Sequence, residues 1–567
     1  MAVDQSPMNK LITEHIDIWT SAVKTRSTSG RGSSKKLELY GVKKLRELIL
    51  ELAVRGKLVP QDPNDEPASV LLERISAEKA QLVKEKKITK PKKLAEVCDD
   101  EFSFELPSNW DIRRLPDVYY TISPSGKKLK SSDVLEHGTY PVIDQGQEAI
   151  AGYSNDEERV IDIESPIIIF GDHTRNIKYV DFSFVPGADG TKILCPIGIA
   201  PEFFYLQLRS YDIESRGYGR HFKILNENLF VIPSLEEQHR IVAKVDELMA
   251  LCDQLEQQTE ASIEAHQVLV TTLLDTLTNS TDANELMQNW ARISEHFDTL
   301  FTTEESIDQL KQTILQLAVM GKLVPQDPSD EPAAELLKRV AEEKAQLVKE
   351  KKIKKQKVLP PISEDEKPFE LPNSWEWCRI QDVALFTTSG SRDWAKYYSD
   401  SGALFVTMGN LSRGSYELRL DNLRFVRPPK GSEGSRTKLE ARDLLISITG
   451  DVGNLGLIPE EFGEAYINQH TCLLRFMPEC QGKYFPDFMR SPLAKYQFDA
   501  PQRGIKNSFR LSDVGEMHLP LPPLNEQVRI TEKVSDLLSI CERLKVRLRE
   551  SQITQLHLTD VIAEQAV

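Results

Sequence analysis

The chain has 567 residues, of which 40% are hydrophobic and 28% charged, and its formal charge is −16. That length exceeds what one core can fill, so three or four structural units are expected. The composition is that of a soluble globular protein, and the acidic balance excludes a generic nucleic-acid coat, which needs an excess of Lys and Arg.

In chain order, residues 1–44 are expected to form an N-terminal helical segment. Met1–Lys24 mixes charged and apolar residues and has no apolar core of a signal peptide, so the cytoplasm is the expected compartment. Residues 45–104 read as a first helical repeat. Leu45–Leu58 is rich in Leu, Glu and Lys and stops before Pro60. Pro67–Lys87 opens on a proline suited to a first turn and carries apolar residues at helical spacing. Residues 105–232 change character. Pro166-Ile-Ile-Ile-Phe170 reads as a buried strand, Gly171-Asp172 follows it, and Pro201–Leu208 suits a short helix. Residues 233–369 return to helix, and a helix from Glu236 to about Leu277 would run on the order of 60 Å at 1.5 Å per residue. Residues 370–519 repeat the strand pattern, with Asp443-Leu-Leu-Ile-Ser-Ile448 ahead of Gly450-Asp451 and a helix over Phe485–Arg490. Residues 520–567 close the chain with a second long helix.

The order is that of an internal repeat. Leu52-Ala-Val-Arg-Gly-Lys-Leu-Val-Pro-Gln-Asp-Pro63 returns as Leu317-Ala-Val-Met-Gly-Lys-Leu-Val-Pro-Gln-Asp-Pro328, at an offset of 265. Glu78–Ile88 and Phe104–Trp110 return at the same offset. The copies then diverge and meet again at Glu237-Gln-His-Arg-Ile241 and Glu526-Gln-Val-Arg-Ile530, now at 289, so the second variable block is longer by 24 residues. Beyond each meeting point Ile241, Val245, Leu248, Cys252 and Leu255, and likewise Ile530, Val534, Leu537, Cys541, Leu544 and Leu548, follow alternating 4-3 spacing. That is a heptad seam. It serves either an intramolecular antiparallel pair or burial in an ordinary bundle. The expected fold is α+β: two mostly-β domains separated by long antiparallel coiled-coil helices in a pseudo-twofold repeat.

Two variable domains, the entry Glu-Leu-Pro-x-x-Trp (Glu105–Trp110, Glu370–Trp375) and the exit Pro-Leu-Pro-Pro-Leu-Asn-Glu-Gln (Pro520–Gln527) resemble the specificity subunits of type I restriction-modification systems. Ile232-Pro-Ser-Leu-Glu-Glu-Gln238 is a variant of the exit. The resemblance implies a target recognition domain in each variable block, reading one half of a split, asymmetric double-stranded DNA site. It implies helices that set the gap and dock two methyltransferase subunits and two motor-nuclease subunits. S-adenosylmethionine would sit on the first kind of partner, ATP and Mg²⁺ on the second, and no cofactor on this chain.

The first variable block is awkward for a DNA reader, because Glu105–Ile232 holds 13 Lys and Arg against 19 Asp and Glu. Local clusters must then make the contact. Lys127, Lys128 and Lys130 follow a turn and either clamp phosphates or form a solvated loop. Arg216-Gly-Tyr218-Gly-Arg220-His221-Phe-Lys223 combines glycines that permit close approach with groups for phosphate and base edges, and Arg503-Gly-Ile-Lys506-Asn507-Ser-Phe-Arg510 is its counterpart. His173, Thr174 and Arg175 follow a strand end, where Arg engages either guanine or a nearby acid. Arg392, Trp394 and Lys396 interleave basic and aromatic groups that serve either core or interface. Asn468, Gln469 and His470 suit adenine or phosphate, or close a tight turn.

No phosphate-binding Gly-x-x-x-x-Gly-Lys-Ser/Thr loop, amino-methyltransferase Asp/Asn-Pro-Pro-Tyr/Phe motif or hydrolase motif occurs. The chain is therefore expected to be non-catalytic. The seven cysteines are scattered without a Cys-x-x-Cys pair, which gives no support to a zinc site or a disulfide framework. No apolar run approaches the ~20 residues of a membrane span, so no membrane partner is expected. The rival reading is a coiled-coil scaffold whose two β domains bind proteins.

Overall fold

The computed structural model describes the chain except residues 1–6, 28–34, 90–93, 99–100, 103, 189, 216, 218, 393, 430, 432–433, 435–436 and 500–508. The chain divides into two units, residues 1–262 with 551–567, and residues 263–550.

In the first unit, α1 (Pro7–Glu14) and α2 (Ile16–Ser21) precede a hairpin of β1 (Lys24–Ser27) and β2 (Lys35–Glu38), then α3 (Tyr40–Val54) and α4 (Ala68–Lys84). The first β domain holds β3 (Asp111–Arg114), β4 (Tyr119–Ile122), β5 (Tyr140–Ile143), β6 (Gly152–Ser154), β7 (Ile167–Gly171), β8 (Ile177–Val180), β9 (Val185–Pro186), β10 (Thr191–Pro196), α5 (Pro201–Ser210), α6 (Phe222–Leu225) and β11 (Leu229–Ile232). The long helix α7 (Leu235–Thr278) follows. Then come α8 (Ala283–Glu295), α9 (Phe297–Leu300), α10 (Glu304–Val319) and α11 (Ala333–Lys349).

The second β domain holds β12 (Glu376–Arg379), α12 (Ile380–Val383), β13 (Ala384–Ser389), β14 (Tyr398–Ser399), β15 (Ala403–Val406), β16 (Arg424–Val426), β17 (Leu444–Ser447), β18 (Leu455–Leu457), β19 (Ala465–Ile467), β20 (Thr471–Phe476), α13 (Tyr484–Met489), α14 (Pro492–Asp499), α15 (Leu511–Glu516) and β21 (His518–Leu521). The second long helix, α16 (Leu524–Ala566), ends the chain.

The two β domains share one topology despite their divergent sequences. The first has a four-stranded antiparallel sheet in the order β4-β10-β7-β8, and the second has β13-β20-β17-β18. A smaller sheet accompanies each, β6-β5-β9 and β14-β16-β15-β19, with the parallel pairs β5–β9 and β15–β19. The central strands Ile167–Gly171 and Leu444–Ser447 are buried throughout, as continuous apolar runs are when both faces are covered. In each domain the entry strand pairs antiparallel with the exit strand, β3 with β11 and β12 with β21. Each domain is thereby closed at its root.

That closure explains the repeated motifs. The entry Trp110 donates its indole N–H to Glu237 Oε2 at 2.9 Å, and Gln61 donates its amide to Glu237 Oε1 at 2.5 Å. Trp375 and Gln326 do the same to Glu526, at 3.0 and 2.6 Å. Both carboxylates are fully buried. One turn on, Arg240 pairs with Asp65 and Arg529 with Asp330, each at 2.6 Å. Gly56 and Gly321, both at positive φ, lie under the entry motif, and a Cβ there would come within 2.5 Å of the ring of Pro107 or Pro372. The shared sequence is thus a latch that seats each β domain on its helices.

The heptad residues are buried as their spacing predicts. Ile241, Val245, Leu248 and Cys252 of α7 are 0–4% exposed. In the second unit Ile530, Val534 and Cys541 of α16 share a core with Ile307, Leu310 and Ile314 of α10 and Val270, Leu274 and Leu277 of α7. The seam there is covered by three helices. Lys545–Asp308 at 2.5 Å and Arg549–Glu304 at 2.6 Å line its edge. In the first unit Arg46 of α3 reaches Asp253 and Glu256 of α7 at 2.5 and 2.7 Å. Burying each large apolar side chain contributes about 1.5–3 kcal/mol, against about 0–1 for an exposed ion pair, so the seam holds the helices and the charges set register.

Candidate nucleic-acid interface

In the first β domain the end of β7 collects three loops. Gly171 is required by close approach, since a Cβ there would lie 2.2 Å from Thr174 Oγ1 and 3.0 Å from Gln145 Cβ. Gln145, just past β5, organises the turn. Its Oε1 accepts the His173 N–H at 3.2 Å, and its carbonyl accepts Thr174 Oγ1–H at 2.5 Å and Asn176 Nδ2–H at 3.0 Å. Arg175 sits at φ 65°, a left-handed conformation uncommon for a non-glycine residue, and donates to the Ile213 carbonyl at 2.7 Å. The third loop is tied in by Asp172. Its carbonyl accepts the His221 N–H and its Oδ1 accepts the Phe222 N–H, both at 2.8 Å.

The second β domain builds the same end differently. The Ile448 N–H donates to the His470 carbonyl at 3.0 Å, and the Phe509 N–H donates to the Ile448 carbonyl at 2.8 Å. Thr449 Oγ1 lies 2.7 Å from His470 Nδ1, and Gln469 Nε2 lies 2.8 Å from His470 Nε2. Asn468 Oδ1 accepts from the His470 N–H at 3.1 Å and from Thr471 Oγ1–H at 3.2 Å, and Ser391 bridges to Asn468. Arg413 reaches across to Asp451 at 3.1 Å, with its side chain 75% exposed.

The structure sorts the candidates. Thr174, Arg175, Arg220, Lys223, Arg392, Lys396 and Arg510 are exposed. Lys223 has Glu227 at 4.0 Å, and Lys396 lies 5.0 Å over the Tyr397 ring. His173, Asn468, Gln469 and His470 are half-buried. The Asn468 carbonyl oxygen is occupied within its own turn. Lys130 is exposed, whereas Lys128 is half-buried and its carbonyl accepts from Arg159 at 2.7 Å. Lys127 is turned inward, its ammonium donating to the Val160 carbonyl at 2.5 Å. Two expectations need correction. His221 is 0% exposed, with Nδ1 3.0 Å from the Asp172 carbonyl, so its ring has no surface to offer a duplex and braces the loop instead. Trp394 is 3% exposed and packs on Phe405 and Tyr466, centroids 5.0 and 5.2 Å away, in an aromatic core. Arg216, Tyr218, Arg503, Lys506 and Asn507 lie outside the described residues.

Sequence reasoning missed Gln145 and Arg413, which no local motif marks. It also missed the latch function of Gln61, Trp110 and Glu237, although their recurrence at two offsets was a usable signal. Burial raises the Glu237 and Glu526 carboxyls above the usual range, opposed by their indole and amide donors. Burial also pushes Asp487, beside Arg490 in the second β domain, up to about 6. Among the described residues, no group of three or more His, Cys, Asp or Glu is placed to hold a metal ion.

Two β domains of one topology, each latched to a shared repeat of helices and each gathering its loops at the same strand end, define a two-headed recognition scaffold. The family model for the type I restriction modification DNA specificity domain matches residues 107–265 and again residues 372–554. The type I restriction enzyme EcoAI and EcoEI specificity subunits of Escherichia coli are each 41% identical to this chain, over 99% of it and 100% of their own length. The chain belongs to the family of type I restriction-modification DNA specificity subunits, whose role is DNA recognition as distinct from catalysis. A solved chain from a type I R-M complex aligns over 82% of this chain and 99% of its own, at 17% identity and a TM-score of 0.46.

Proposed function

We propose that each β domain, residues 105–232 and 370–519, reads one half of a bipartite, asymmetric DNA site with the loops gathered at its strand end. The observation that carries this reading is the same constellation built twice with different side chains. One scaffold then presents Thr174, Arg175 and Arg220, and the other presents Arg392, Gln469 and Arg413. Arginine suits the O6 and N7 of guanine, and an amide suits the N6 and N7 of adenine, so the two ends favour different bases. The long helices set the gap between half-sites.

The helices would also dock two methyltransferase subunits and two motor-nuclease subunits, carrying S-adenosylmethionine on the first and ATP with Mg²⁺ on the second. Support comes from apolar residues exposed at repeat-equivalent positions. Leu251 and Ile540 are 37% and 39% exposed, and Leu269 and Leu558 are 50% and 42% exposed. Each pair lies 289 residues apart in the chain, which suits one kind of partner bound twice. Among the described residues no helix is long and apolar enough to cross a membrane, and we place the work in the cytoplasm, where the DNA is. Sequencing of methylated adenines after co-expression with the methyltransferase subunit tests the reading. Two short specific blocks separated by an unspecified gap are expected, and a single contiguous motif would contradict it.

A further inference from the structure

Gln145 stands two residues beyond the end of β5, and the backbone there is pinned on both sides. The Gly187 N–H donates to the Ile143 carbonyl at 2.8 Å. Asp144 Oδ1 accepts the Gly146 N–H at 2.8 Å and lies 3.4 Å from Nζ of Lys178, which is 9% exposed. Two glycines make room for the Gln145 side chain. A Cβ on Gly171 would lie 3.0 Å from Gln145 Cβ, and one on Gly190, at φ 97°, would lie 2.4 Å from its Oε1. A side chain held this way on rigid strands keeps its geometry when a ligand arrives.

The two ends of its amide have different surroundings. Oε1 accepts the His173 N–H at 3.2 Å, whereas Nε2 has no partner among the described residues and is open to solvent. An amide that commits its oxygen to the protein keeps only its N–H donors for a ligand. In the major groove such a donor suits guanine, with O6 and N7, or thymine, with O4. Cytosine offers only the N4 donor, and adenine sets its N6 donor beside N7. The second β domain fills the same place with different chemistry. β15 corresponds to β5, since each runs parallel to a strand, β19 or β9, that leads directly into β20 or β10. Asp144-Gln145-Gly146 beyond β5 thus matches Thr407-Met408-Gly409 beyond β15. Met408 is half-buried like Gln145, and its Cε would lie 3.3 Å from a Cβ on Gly450, the counterpart of Gly171. The bracing residues of the latch are identical in the two copies, whereas this position exchanges a polar donor for an apolar thioether.

We propose that Gln145 is a specificity-determining residue of the first β domain, donating from Nε2 to a base edge that offers only acceptors, guanine or thymine. The proposal rests on the reading of that domain as a DNA reader. It places a neutral base-reading group in a domain whose overall charge is acidic.

The test sequences the adenines methylated by the complex with the methyltransferase subunit, for the parent, Gln145→Glu and Gln145→Met. The half-site of the first domain is the one that changes when Trp110–Ile232 is exchanged. Gln145→Glu keeps an oxygen for the His173 N–H and turns the free donor into an acceptor, which suits the N4 donor of cytosine. Gln145→Met installs the residue that the second domain accommodates at this place, so it guards against a variant that fails to fold. One position of the first half-site should pass from guanine or thymine to cytosine, or to no preference, in the Glu variant. The Met variant should lose the preference at that same position. The other half-site and the gap should stay as in the parent. Each variant should bind a duplex of the parent sequence about 10- to 100-fold more weakly, the worth of one good base contact. Methylation of the unaltered parent sequence at lower efficiency by both variants overturns the proposal and leaves Gln145 a brace. So does loss of methylation at every sequence, which would make the position structural. A parent complex with no half-site that follows the first domain overturns the domain reading itself, and the assignment of Gln145 with it.

Discussion

At the scale of single residues, Glu237 and Glu526 tie the entry motif of each β domain to its helices. Each carboxylate accepts an indole N–H and an amide N–H in a fully buried site. Burial is the dominant influence and raises the folded-state carboxyl above its unfolded value. The folded protein therefore binds more protons than the unfolded chain between those two values, and the contribution of this group falls as pH rises through that window. At pH 4 the protonated carboxyl and an amide each offer one acceptor oxygen and one donor group, so Glu237→Gln should change stability by less than about 1 kcal/mol there. Towards neutral pH the variant should gain on the parent, which then carries a desolvated charge that the amide lacks. Chemical denaturation at several pH values checks this, and a variant that loses ground to the parent as pH rises would contradict it. Which of Trp110, Glu237, His221 and Trp394 served structure and which served contact was not legible in the sequence. Indole and imidazole are as useful in a polar lock or an aromatic core as on a DNA groove, and only burial separates the cases.

At the scale of elements, periodicity was the most legible signal. The 4-3 spacing from Ile241 and from Ile530 located both long helices, and the residues on it are buried or half-buried. The runs Pro166–Phe170 and Asp443–Ile448 located the two central strands. The third helix covering the seam in the second unit was not legible, because the 3-4-3 row Ile307, Leu310, Ile314 and Leu317 of α10 is short and runs into the further buried residues Leu315, Ala318 and Val319, as in an ordinary core helix. The small sheets were equally hidden, since strands of two to four residues are too short to show a period. The seam carries a prediction about length. One heptad inserted ahead of Leu255, with a matching one ahead of Leu544, keeps every apolar residue in phase and adds about 10 Å of helix. That is close to three base pairs of a duplex with a ~34 Å turn, so the gap in the methylated motif should lengthen by about three while both half-sites persist. A motif with an unaltered gap would show that the helices do not set it.

At the scale of the whole molecule, the chain is one plan used twice, and the differences between the copies are functional clues. The second β domain is longer, with a four-stranded small sheet and a helix, α14, after α13. The first copy instead carries the β1–β2 hairpin. The latch holds both domains chiefly by their roots, where β3 pairs with β11 and β12 with β21, and in the first domain Gln238 also accepts the Ala200 N–H at 2.9 Å. Each domain should therefore be exchangeable without disturbing the other. The most direct measurement exchanges Trp110–Ile232 for the equivalent span of a related specificity subunit and sequences the adenines methylated by the resulting complex. One half-site should change to that of the donor, while the other half-site and the gap stay as they were. A change in both half-sites together, or in neither, would contradict two independent readers on one frame.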